Sequence, residues 1–328
     1  MALRVVEYRQ LIQIVAMFML VQFTGLLLAT QVFTGTSYVQ VQGVQTVSSS
    51  LNALFYIAYI VVFSVVLIII FKIYKGDKLF LLLEGAVVFV ASFIVFLVSI
   101  SALQGAAFSN LYGNGSVVSL AIAAVLAFVL VFAKYRMPRL RNLTAMIASI
   151  GVGLVLGLSF SFVAAMVFMV ILAAYDFIAV FITKHMIALG NLAVEKNLSF
   201  LIMVNEVEAF PVAQLSRSQR KEYEDTKKEA KGQGNTMTKS LSEKGMVPFM
   251  ARTALGTGDL AMPLMLAIAA YKINLNFVLS FVVAIGAVFG LIATMLILRK
   301  YKRALPAIPP LLLGISVSLL VYLLLVHL

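Results

Sequence analysis

Residues 161–186 read SFVAAMVFMVILAAYDFIAVFITKHM, an apolar run interrupted by one carboxylate, Asp176, and ending in Lys184 and His185. A helix that crosses a bilayer takes about 20 apolar residues, so this stretch reads as a membrane span carrying an acid where acids are costly. Working outward, similar runs lie at 11–33, 51–71, 79–103, 115–133 and 143–158 before it, and at 253–271, 275–298 and 305–327 after it. The expected fold is therefore all-α and polytopic, with nine transmembrane helices. Composition agrees. Of 328 residues, 62% are hydrophobic and 12% charged, and the mean hydropathy is +1.06, which excludes a soluble enzyme. With no cysteine and only two histidines, thiol nucleophiles are ruled out and a multi-histidine metal cage nearly so. No cofactor or metal is expected.

A net charge of +12 would suggest nucleic acid in a soluble domain, but in a membrane protein basic residues first report orientation. Of the 25 Lys and Arg, all but Lys272 lie before the first run or in alternate loops. The positive-inside rule then puts the N-terminus in the cytoplasm and the C-terminus outside, and no nucleic-acid partner is expected. Three blocks follow: a six-helix membrane block at 1–190, a cytoplasmic loop at 191–252, and a three-helix membrane block at 253–328. Within the loop, 216–245 is polar, rich in Gly, Ser and Lys, and expected to be largely disordered.

Thirteen Asp and Glu are present, and three fall inside spans: Glu84, Asp176 and Asp259. Such residues usually face a protein interior or a wet cavity and serve function. Counted back from Lys184, Asp176 lies about 12 Å deep, and counted from Arg252, Asp259 lies about 10 Å deep. Two carboxylates on sequential antiparallel helices thus reach one level. They suit a shared-proton dyad, in which one acts as base on a water and the other as acid. Glu84, about 9 Å past Lys78 by helical rise, reads as reaching back to Lys78 or to the cytoplasmic interface. Gly256 and Gly258 remove bulk beside Asp259, and three prolines, Pro306, Pro309 and Pro310, disturb the start of the last span.

Tyr175-Asp176 in the sixth span, Gly256-Thr257-Gly258-Asp259 in the seventh and Pro306-Ala307-Ile308 at the start of the ninth resemble, in that order, the presenilin and signal peptide peptidase family of intramembrane aspartyl proteases. The runs YDFIAVFITKHM (175–186) and GTGDLAMP (256–263) are most similar to the archaeal members. The resemblance implies an aspartic endopeptidase, multi-pass in the cell membrane, that cleaves peptide bonds in or near transmembrane segments or signal peptides. It makes Asp176 and Asp259 catalytic, has Tyr175 shape the pocket, and has Pro306, Ala307 and Ile308 line the site. Membrane lipid is the surrounding partner, and partner subunits are not expected to be required, as in the archaeal relatives. Ile308 stands where the family motif has leucine. The loop lacks the strongly hydrophobic segment at which presenilin is cut, which argues against self-cleavage.

The reading from another class is a transporter or cation-leak protein using Asp176, Asp259 and Glu84 as a relay. A zinc protease would need His-Glu-x-x-His, and a rhomboid-like serine enzyme Gly-x-Ser-Gly with an intramembrane histidine; the sequence offers neither. Before the second aspartate, residues 245–251 (GMVPFMA) are apolar, uncharged and interrupted by proline, which predicts a short edge strand. By resemblance, Met246, Val247 and Phe249 would pair with unwound substrate, with Leu201 to Val204 as a companion strand.

Overall fold

Backbone in lipid finds no water and must close its hydrogen bonds within helices. The apolar runs accordingly form α1 (Ala2–Phe33), α2 (Asp77–Ala107), α3 (Gly115–Arg136), α4 (Arg141–Ser159), α5 (Phe162–Phe177), α6 (Thr257–Asn274), α7 (Phe277–Tyr301) and α8 (Ile308–His327). Two strands, β1 (Leu201–Pro211) and β2 (Met246–Gly256), pair in a two-stranded sheet. This computed structural model describes residues 2–33, 77–107, 115–137, 140–182, 201–211, 246–275, 277–301 and 306–327. The expected span at 51–71, the polar stretch 216–245 and His185 lie outside the described residues.

Among the described residues, seven helices are long and apolar enough to cross a membrane: all of those named except α6. The chain is an integral, multi-pass membrane protein with an essentially helical fold, to which the sheet adds the one element that an all-α expectation omits. The runs at 143–158 and 161–186 are separate helices, because α4 ends at Ser159 and the hydroxyl of Ser161 caps α5 by accepting from the Ala164 N–H at 3.4 Å. The runs at 253–271 and 275–298 part at Leu275, whose φ of 50° is left-handed.

α6 is less apolar than its neighbours because Asp259 and Lys272 sit near its two ends. It is instead enclosed by protein: Leu260, Leu264, Met265, Leu266 and Ile268 are all fully buried. A helix apolar on every side belongs inside a bundle, and α4, α5 and α7 pack around it. Small residues recur every fourth position along α4, at Ala145, Ser149, Gly153 and Gly157. A Cβ at Gly153 would meet the Leu264 side chain at 2.8 Å, and one at Gly157 would meet Ile268 Cβ at 2.6 Å, so this stripe sets how closely α4 approaches α6. Gly286 and Gly290 do the same for α7 against Gly314 of α8. The Lys272 ammonium donates to the carbonyls of Leu158 at 2.7 Å and Phe160 at 3.1 Å, satisfying the C-terminal end of α4.

The chain forms two compact units. One comprises Val15–Ile202 and Leu255–Leu328 and holds nearly all of the helices; the other comprises Met1–Ile14 and Met203–Ala254 and holds the beginning of α1 and most of both strands.

Candidate active site

Asp176 is the penultimate residue of α5, and the chain continues past it as a π-helical turn, Ile178–Ile182. Such wide turns leave a helix locally out of register and are frequent at functional sites. The Asp176 side chain is only 6% exposed. Its Oδ2 accepts the backbone N–H of Ile308 at 3.2 Å, and the N–H of Ala307 also bonds to the carboxyl. Ile308 is the first residue of α8, so the carboxylate sits at the positive end of that helix.

The prolines explain why this donor is available. The first N–H groups of a helix have no partner within it, and Pro309 and Pro310 occupy the next two positions without any N–H to offer. What the start of α8 presents is the amide of Ile308, and it points at Asp176. The expectation that three prolines disrupt this turn is corrected in detail: at these positions proline is compatible with the helix, and α8 begins at Ile308 rather than near 305.

Asp259 lies at the opposite kind of terminus. β2 runs to Gly256, which is extended (φ −66°, ψ 143°), and α6 starts at Thr257, making Asp259 its third residue. The Gly256 N–H donates to Asp259 Oδ2 at 3.2 Å, the reach-back half of a capping box. A Cβ on Gly256 would lie 3.0 Å from that oxygen, whereas one on Gly258 would meet nothing within 4 Å. Gly256 therefore makes room for the carboxylate, and Gly258 faces open space.

α5 and α6 pack together, so Asp176 and Asp259 stand on adjacent helices. The structure thus brings together Asp176, Asp259, Gly256 and the Ala307-Ile308 turn. Pro306, Ala307 and Ile308 are buried, whereas Tyr175, next to Asp176, is 48% exposed. The depth argument needs correction. Helical rise counted from Arg252 does not apply, because residues up to Gly256 are strand; Asp176 ends its helix and Asp259 begins its own.

Glu84 stands apart from this group. It is fully buried and ion-paired with Lys134 of α3, a partner that the sequence reading did not name; the Lys78 side chain lies outside the described residues. The sequence offered a signal, since Lys134 falls in the last turn of an apolar helix, but which helix would face it is a tertiary matter. Two polar side chains that the sequence reading passed over also reach the first turn of α6: Gln22 of α1 donates to the Leu260 carbonyl at 2.9 Å, and Ser149 of α4 to the Thr257 carbonyl at 3.2 Å.

No group of His, Cys, Asp and Glu among the described residues is arranged to hold a metal ion.

Comparison with known proteins bears on this geometry. Two crystal structures of a presenilin family intramembrane aspartate protease, in C222 and P2 space groups, share the fold. The first has a TM-score of 0.60 at 19% identity, over 95% of this chain and 97% of the other. The second has 0.57 at 20% identity, over 94% and 96%. No curated protein matches the sequence. The family model described as signal-peptide peptidase, presenilin aspartyl protease matches residues 15–327, nearly the whole chain, and the chain therefore belongs to that family of intramembrane aspartyl proteases.

Proposed function

We propose that Asp176 and Asp259 are the catalytic pair with which this intramembrane aspartyl protease hydrolyses peptide bonds of transmembrane segments or signal peptides. The observation that carries the reading is the placement of two carboxylates at the ends of two helices that pack together, each with a neutral backbone amide as hydrogen-bond donor. Two carboxyls so placed do not both ionise readily and share one proton. The ionised member takes a proton from a water as it attacks the scissile carbonyl, and the protonated member gives its proton to the carbonyl oxygen. In collapse of the tetrahedral intermediate, a proton passes to the leaving amine and the peptide bond breaks. The Ala307-Ile308 amides hold Asp176 in place, and the open space beside Gly258 admits substrate backbone close to Asp259. In reconstituted protein with a model transmembrane substrate, Asp176→Ala and Asp259→Ala are each expected to abolish cleavage while the protein remains folded. Residual proteolysis in either overturns the pair.

The transporter or cation-leak reading finds no support in the family to which the chain belongs. Glu84, which that reading needs as a relay, is neutralised by Lys134.

The finer topology also belongs to this proposal: nine spans, a cytoplasmic N-terminus, the blocks 1–190, 191–252 and 253–328, and activity without partner subunits. So does the role of β2. A substrate helix must unwind before water reaches its peptide bonds, and the freed backbone groups need partners. Among the described residues β2 pairs along one edge only, with β1, and it leads directly into the turn that holds Asp259. An unwound segment would add to that edge, with Met246, Val247 and Phe249 in register. Val247→Asp is then expected to lower cleavage about tenfold or more, with little effect on binding of a small inhibitor directed at the aspartates. Equal losses in both would mean that β2 only supports the fold.

A further inference from the structure

The turn that carries Asp259 is intrinsically weak. Its N-cap, Gly256, offers no side-chain cap, and Gly258 adds backbone freedom inside the turn. Pro263 lies within the same helix. Lacking an N–H, it cannot complete the ladder bond to the carbonyl four residues earlier, which is that of Asp259 itself. A turn deprived of its central bond should rock, and rocking would carry the carboxylate with it. The residues on either side are braced from outside the helix. The Gln22 amide donates to the Leu260 carbonyl at 2.9 Å, and the Ser149 hydroxyl approaches the Thr257 carbonyl at 3.2 Å.

These contacts do not follow from ordinary packing. Gln22 is 4% exposed in a membrane-spanning helix, where a polar side chain is costly unless it bonds. A carbonyl can only accept, so the amide meets it through its NH2 group, using the lone pair that the helix ladder leaves free. Gly25, one turn further along α1 on the same face, has the Leu264 side chain where its Cβ would stand. α1 thus approaches α6 locally, at Gly25 and Gln22. The Ser149 proton is shared, because the Ala145 carbonyl lies closer, at 2.8 Å, which makes this the weaker of the two braces.

We infer that Gln22, assisted by Ser149, is a positioning residue that fixes the Asp259 turn relative to Asp176. The inference rests on the catalytic-pair reading above.

The test uses the full-length protein reconstituted with a model transmembrane substrate, comparing Gln22→Met, Ser149→Ala and a control, Thr24→Val. Thr24 bonds only within its own helix, to the carbonyls of Leu20 and Val21. Gln22→Met keeps the volume and removes the donor. It is expected to lower kcat about tenfold with KM unchanged, and to move one limb of the pH–rate profile, because the distance between the two acids sets how they share a proton. Ser149→Ala should do the same to a smaller degree, and Thr24→Val should do neither. An unchanged kcat in Gln22→Met overturns the inference. So does a loss of thermal stability with an unmoved pH profile, which would make Gln22 a strut for α1 alone. If Gln22→Met does not fold, Ser149→Ala decides: a lowered kcat with a displaced pH limb supports the brace, and wild-type kinetics overturn it. Cleavage surviving in Asp259→Asn would show instead that the catalytic-pair reading is at fault.

Discussion

Two carboxylates are buried within membrane-spanning helices, Glu84 in α2 and Asp176 in α5, and their surroundings differ in kind. Glu84 faces the ammonium of Lys134. Asp176 faces the backbone amides of Ala307 and Ile308, and among the described residues no cation pairs with it. A counter-ion cancels the charge of the acid it faces; neutral amide donors bond to a carboxylate without cancelling its charge. The first arrangement fastens helices together, and the second keeps an acid chemically usable. On the catalytic-pair proposal, burial alone does not mark a catalytic acid; the nature of its partner does.

The sharpest way to break this contrast is a pair of isosteric changes. Asp176→Asn is expected to reduce cleavage by roughly 10⁴-fold or more, and Glu84→Gln to leave kcat of the folded protein within a few-fold of wild type, both measured on a model transmembrane substrate. Comparable losses would mean that three acids work as one relay.

The same contrast inverts for stability. Lys134→Met should take this counter-ion from the buried Glu84 and cost about 3–5 kcal/mol, read by thermal denaturation in detergent. Adding Glu84→Gln to it should recover most of the loss. If the single change costs nothing, the ion pair does not hold α2 to α3.

Proton sharing makes a further demand. Activity should need the singly protonated pair, so the rate falls about tenfold per pH unit on each side of a bell, at low pH because both acids are protonated and at high pH because both ionise. Glu84→Gln should leave the bell where it is. A flat profile from mildly acidic to alkaline pH would count against the mechanism.

The smallest effect concerns the two glycines. Gly256→Ala puts a methyl about 3.0 Å from Asp259 Oδ2 and is expected to cut kcat several-fold by displacing the acid. Gly258→Ala, with nothing within 4 Å, should leave folding untouched, so that any rise in KM reports substrate passing over it.

Much of this site could be read along the chain, for a reason particular to membranes. Apolar runs long enough to span stand out, and an acid inside one of them is conspicuous because hydrocarbon tolerates so few. Asp176 and Asp259 were therefore visible as residues, as was the strand character of 246–251 from its proline and lack of charge. What misled was the assumption of regular helix between landmarks. The π-helical turn after Asp176 and the late start of α6 at Thr257 are not visible in hydropathy. The ion pair of Glu84 with Lys134 went unread because Lys134 is near it only in space.

The sequence by itself determined that this chain lives in a membrane, how its apolar runs divide, and which acids interrupt those runs, because these depend on residue type and short-range spacing. Only the tertiary structure decided which backbone amide steadies which carboxylate, that α6 is enclosed on all sides, and that Gln22 and Ser149 reach the turn of Asp259. Those are contacts between helices, set by how closely small residues such as Gly25, Gly153 and Gly157 let them approach, and no local pattern in one helix specifies what its neighbour will present.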